Sequence, residues 1–229
     1  QSSYGKTHAL GNIEVVKENM RKLSEEVVKN GRRTDLTVLF HRYLGNHKEE
    51  IEMREFSERI GYRFETVWAF MMPLEKTLAF AEGRLEELSD RDIETMNMLA
   101  LPVQESIEIS RKSTIKKCKL MEDQFAIRSD GSVMVCCATY NEEPIAKYLD
   151  VPLVELQDIK KRQSICNRCM RNGLHVLGTY GEAKAFDQLA ISHMKKNVPD
   201  YAPTSTLSTK RFFDLARQSF LRIRRVVIG

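Results

Sequence analysis

After Asn12 the apolar residues Val16, Met20, Leu23 and Val27 return every three or four positions, the spacing of one helix face. Asn12 reads as the N-cap of that helix, and Asn30-Gly31 as its stop, because glycine enters the left-handed conformation that ends helices. A β-rich run follows over 34–40. Residues 47–60 then form a second amphipathic helix, with Met53, Phe56 and Ile60 on one face and Gly61 after it. Residues 64–72 are apolar nearly throughout, apart from Glu65 and Thr66, as expected of a strand covered on both faces, and Trp68 belongs to the core. Helix–strand–helix–strand with short links predicts an α/β fold with a parallel sheet. Strands this apolar need neighbours, and nothing before residue 12 supplies them. Residues 1–83 therefore read as the later part of a larger α/β domain.

The pattern then changes. Residues 84–115 are expected to be a helical linker: Ser89 and Asp92 have capping-box spacing, Ile93, Met96 and Leu99 make a stripe, and Pro102 breaks or kinks the run. Residues 116–180 hold all five cysteines. Within them, 124–128 and 132–137 predict a hairpin around Ser129-Asp130-Gly131, a three-residue loop with glycine at its left-handed position. That register pairs Ile127 with Val133 and Phe125 with Val135. Strand parity then puts those four and Cys137 on the packed face and turns Cys136 away, free to bind a metal. Residues 181–229 form a helical extension with a loop near 199–209. Its end, 210–225, combines a Phe and Leu stripe with six basic residues and one acid, the mark of a helix packed on the domain.

Composition narrows the class. Of 229 residues, 42% are hydrophobic and 30% charged, an ordinary balance for a soluble protein. No apolar run has the length to cross a bilayer, and the first residues lack the pattern of a signal peptide, so a cytoplasmic location is expected. A net charge of +4 is too mild to argue for nucleic acid. In a reducing compartment, clustered cysteines serve metals or catalysis more often than disulfides.

The spacing of four cysteines carries the chemistry. Twelve residues separate Cys118 from Gly131, and four separate Gly131 from Cys136; Cys166 and Cys169 form a close pair further on. The hairpin returns Cys136 to the segment of Cys118, so four thiolates can gather at one centre. Structural zinc sites commonly use two close pairs. Here one pair is split by a whole hairpin, which suits a cluster of iron and sulfide better than a lone ion. Arg168 and Arg171 would offset thiolate charge or lie exposed, and His175 would lie near the site without binding. A second candidate lies at the end of the first strand. His41, Arg42 and Asn46 stand where ligands gather in α/β sheets, or else form a solvated loop before the next helix.

Cys118, Gly131, Cys136 and the Cys166-x-x-Cys169 pair, with the text from Ala126 to Cys137, resemble the opening of the SPASM domain of radical S-adenosylmethionine (radical SAM) enzymes. Where a full SPASM domain continues with further cysteines, this chain has His175 and Thr179. That implies one auxiliary 4Fe-4S cluster, as in the shortened twitch form. More loosely, residues 1–83 resemble the later part of a radical SAM partial (β/α) barrel, and 116–180 the twitch-like iron–sulfur domain. The resemblance implies a parent enzyme using S-adenosylmethionine and a second 4Fe-4S cluster, with a peptide or small-molecule substrate and a flavodoxin or ferredoxin as electron donor. His41, Arg42 and Asn46 would then touch S-adenosylmethionine or substrate. The family's C-x3-C-x2-C segment is absent from these 229 residues, so this chain alone is expected to be inactive. The alternative is a non-catalytic four-cysteine zinc module that organises an interaction surface.

Overall fold

The computed structural model describes residues 4, 11–31, 34–140 and 142–203. It is mixed α/β with small sheets. Two compact units divide it: one holds the residues up to Ala69 together with those from Met194 onward, the other runs Phe70–His193. Among the described residues no helix is long and apolar enough to cross a membrane.

In the first unit, helix α1 (Ile13–Lys29) begins where Asn12 accepts the backbone N–H groups of Glu14 and Val15 through its side chain. Strands β1 (Thr37–Arg42) and β2 (Arg63–Trp68) pair in parallel from Thr37↔Arg63 to Arg42↔Trp68. Helix α2 (His47–Arg59) connects them and packs on both. The expected helix–strand–helix–strand order and parallel pairing are thus present. Trp68 is buried, as expected. Strand β2 stops at Trp68, short of the expected 72. Its last rung is the Ala69 N–H donating to the Arg42 carbonyl, and β1 reaches no further. Helix α1 is held by Ser24 Oγ donating to Ile60 O at 2.6 Å and by the Tyr62 hydroxyl donating to Met20 O at 3.2 Å. Its half-buried arc centres on Met20 and Ser24. Leu23, expected on that face, lies past its edge and is 51% exposed.

The second unit opens with α3 (Leu74–Ala81) and a short 3-10 turn at Leu85–Glu87, followed by α4 (Asp90–Met98) and α5 (Val103–Lys112). Ser89 and Asp92 form the expected capping box, each side chain meeting the other's backbone N–H. Pro102 starts α5, where a missing N–H costs nothing. Leu99, Leu101 and Ile107, from the stretch expected to be a linker, are buried in this unit's core with Leu78, Leu156 and Phe186.

Helix α6 (Lys119–Asp123) leads into the hairpin of β3 (Ala126–Ile127) and β4 (Ser132–Met134), paired Ile127↔Val133 as expected. Gly131 takes φ +80°, and Arg128 and Ser132 close the three-residue loop. A third strand, β5 (Ala146–Lys147), pairs with β4 on its other side; at two residues it leaves no periodic signal. The remaining helices are α7 (Leu153–Arg162), α8 (Ser164–Arg171), α9 (Leu174–Gly178) and α10 (Ala183–Asn197). The basic stretch 210–225 lies outside the described residues.

One expectation about the hairpin fails. Cys137 is exposed rather than packed, and Ile127 is 44% exposed, whereas Val133, Met134 and Val135 are all buried. Alternation ends with β4 at Met134; Cys137 lies in the turn that follows, so strand parity no longer directs its side chain.

Gly173 precedes α9 at φ +72°, and a Cβ there would meet the Ser110 carbonyl carbon at 2.7 Å and its oxygen at 2.8 Å, within α5. A Cβ on Gly131 would meet nothing within 4 Å. Gly131→Ala should therefore cost only the ~1–2 kcal/mol of a left-handed L-residue. Gly173→Ala adds a backbone collision and should cost clearly more. Urea midpoints of the two variants check this; equal midpoints would contradict the close approach of α9 to α5.

Candidate metal centre

Three separate segments deliver four sulfurs. Cys118 precedes α6 as its N-cap, and its carbonyl accepts from the Met121 and Glu122 N–H groups at 3.1 Å each. Cys136 follows β4 in a turn fixed by Thr139, whose N–H and hydroxyl both donate to the Cys136 carbonyl. The Ala138 N–H lies 3.5 Å from Cys136 Sγ. Cys166 and Cys169 stand three residues apart on α8, the spacing that puts two side chains on one helix face. The His175 backbone N–H acts on the Cys169 thiol in the sense that favours the thiolate. Backbone N–H groups aimed at sulfur are the contacts that tune metal-bound thiolates.

The four thiols line one cavity of about 30 Å³, whose other walls include Leu74, Leu120, Val135 and Ile165. A second cavity of about 40 Å³ is bounded by three of the same cysteines, Cys118, Cys136 and Cys169, together with Phe70, Leu177 and His175. Leu74 and Leu120 wall both, so the two adjoin. Among the described residues no three of His, Cys, Asp and Glu converge as a site for one ion. All five cysteines are unbridged.

Apolar walls and mutual repulsion keep most of these thiols neutral. Burial is the main cause that pushes Cys118 up and Cys166 up to about 11, and the neighbouring sulfurs of the set add to the rise in Cys166. Cys169 moves in the same direction for the same reasons. Cys136 moves the other way, down to about 6: the Cys137 thiol donates to it, and the Ala138 N–H and the Lys160 ammonium add to that against the cost of burial. One of the four is thus poised as a thiolate at neutral pH.

Lys160 is the residue that sequence reasoning missed. It sits on α7 within the basic run Lys160-Lys161-Arg162, which reads as a solvated helix end. In the fold it is 1% exposed. Its Nζ donates to the carbonyls of Leu120, at 2.9 Å, and Gln124, and lies 5.0 Å from the centre of the Phe125 ring. Burial lowers its pKa below the ordinary lysine value, and the sulfurs of Cys136, Cys166, Cys118 and Cys137 act in the opposite sense, favouring the ammonium.

The arginines beside the Cys166/Cys169 pair do not compensate the sulfurs. Arg168 makes a two-point ion pair with Glu82, at 3.1 and 2.6 Å, and holds that carboxyl down at about 2. Arg171 is exposed. His175 is 5% exposed; its Nε2 donates to Ile115 O at 2.9 Å, and its Nδ1 is buried without a hydrogen-bond partner.

The other candidate residues lie in the first unit. His41 is exposed at the end of β1. Arg42 is buried, bound at two points by Glu50 at 2.7 Å each, with its guanidinium 5.0 Å from the Trp68 ring centre. Asn46 is buried too, accepting from Tyr43 N–H and donating to His41 O, so it closes the loop after β1. Arg42 and Asn46 thus have their polar atoms engaged by the fold itself.

No known family model, curated protein or solved structure matches this chain.

The titration of the metal-free protein follows from these shifts. Cys136 is depressed below the ordinary thiol value, so unfolded chains bind more protons than folded ones between about 6 and that value, and stability rises with pH there. Cys166 is raised, so its contribution falls as pH climbs from the ordinary thiol value toward about 11. Urea denaturation of metal-free protein should show stability increasing from pH 6 to 8 and declining above 9, and Cys136→Ser should flatten the lower limb. An unchanged lower limb in that variant would remove Cys136 as the low-pKa thiol.

Proposed function

We propose that Cys118, Cys136, Cys166 and Cys169 hold one auxiliary 4Fe-4S cluster, and that the chain is the C-terminal part of a radical S-adenosylmethionine enzyme. The observation that carries this reading is the meeting of four cysteines from three segments at adjoining apolar cavities, with the Ala138 N–H 3.5 Å from the Cys136 sulfur. A single zinc ion would need four sulfurs about 2.3 Å from one point. An inorganic core of several atoms accepts donors spread round a space.

When bound, such a cluster supplies an electron to or from a substrate radical. The protein's own part is to deliver the thiolates, exclude water with Leu74, Leu120, Val135 and Ile165, and donate N–H groups to the sulfurs. The intact parent would supply the S-adenosylmethionine site with its own 4Fe-4S cluster and take electrons from a flavodoxin or ferredoxin. Its substrate would be a peptide or a small molecule.

Anaerobic reconstitution with iron and sulfide tests this directly. The expected product is brown, with broad absorption at the violet edge of the visible that bleaches on reduction, and with iron and acid-labile sulfide in equal amounts. A colourless protein carrying one zinc per chain would instead establish the interaction module. Cys166→Ala should lose the iron. Cys137→Ala should keep it, because that side chain stands outside the cavities.

A further inference from the structure

We propose that Lys160 is the resident countercation of the four-cysteine centre, compensating its negative charge and setting its reduction equilibrium. The inference rests on the iron–sulfur reading above and names a residue that the reading does not require.

An ammonium moved from water into an apolar interior is strongly disfavoured unless charge or hydrogen bonds compensate it. Lys160 is fully buried, yet the ion pairs of the described residues do not include it. Its neighbour Lys161 shows the ordinary outcome, an exposed pair with Asp158 at 3.3 Å. Lys160 has only the carbonyls of Leu120 and Gln124 and the face of Phe125, all partial charges. Leu120, whose carbonyl takes the ammonium at 2.9 Å, walls both cavities of the centre, so Cys136 and the thiolates that a bound core would create there are the negative charges beside it. Among the described residues no ion pair gives the buried cation a carboxylate, and Arg168 is committed to Glu82, so the cation and the thiolates of a bound core answer one another. Each explains the presence of the other.

The consequence is electrostatic. A core bound by four thiolates is anionic, and one-electron reduction by an external donor adds one more negative charge. A fixed ammonium nearby favours the reduced form. The competing account is mechanical: Nζ ties together the carbonyls at the end of α6 and would do so without regard to charge.

Three substitutions separate the accounts. Lys160→Arg keeps the charge, Lys160→Gln keeps amide donors without charge, and Lys160→Met keeps neither. In reconstituted protein titrated anaerobically, the glutamine and methionine variants should both shift the equilibrium about tenfold toward the oxidised cluster, ~59 mV for one electron. The arginine variant should stay within about twofold of the parent chain. Loss of iron from the two neutral variants but not from the arginine one would support the same conclusion. The proposal is overturned if the glutamine variant matches the parent chain, if the arginine variant shifts as far as the methionine one, or if all three lose iron together. A parent chain that takes up no iron and sulfide defeats the cluster reading itself, and this inference falls with it. Metal analysis of that chain therefore reports on the first proposal, and the potentials of the variants on the second.

Discussion

Sulfurs gathered in an apolar interior repel one another once ionised, and the second unit sets opposing groups beside them. Burial first, and the neighbouring sulfurs with it, push Cys118, Cys166 and Cys169 toward the neutral thiol. Backbone N–H groups at Cys118, Cys136 and Cys169 work in the opposite sense, and Lys160 adds a whole positive charge. The architecture follows from this need. Helix α8 presents two sulfurs on one face, the hairpin returns a third, the residue before α6 brings a fourth, and α7 carries the cation.

The rigidity required to hold these parts comes from close backbone contact rather than from polar surface pairs. Gly173 lets the start of α9 approach the Ser110 backbone. The capping box of Ser89 and Asp92 and the buried Leu99, Leu101 and Ile107 make residues 84–115 part of the same body as the cysteines. The first unit uses another device. Its parallel strands are joined by α2, with the Arg42–Glu50 pair against Trp68 between helix and sheet.

Local signals were read with success where they depend on neighbours in sequence. The cap at Asn12, the parallel order of β1, α2 and β2, the Gly131 loop and the Ile127–Val133 register follow from periodicity and turn chemistry. A local rule fails past the end of its element. Alternation stops at Met134, so it does not carry Cys137 into the core, and the helical stripe includes Leu23 although that residue stands at the edge of the packed arc. Lys160 gave no signal at all, since a buried lysine and a solvated one occupy the same place in a helix-end run.

By itself the sequence determined how many residues separate the cysteines and which turn joins the hairpin, because spacing and turn chemistry are local properties. Only the tertiary structure decided that the cysteines share a cavity, that Arg168 belongs to Glu82, and that Lys160 is buried. The physical reason is dielectric. Whether a charge is cheap or costly depends on what surrounds it, and the surroundings of Lys160 come from residues about forty positions earlier in the chain.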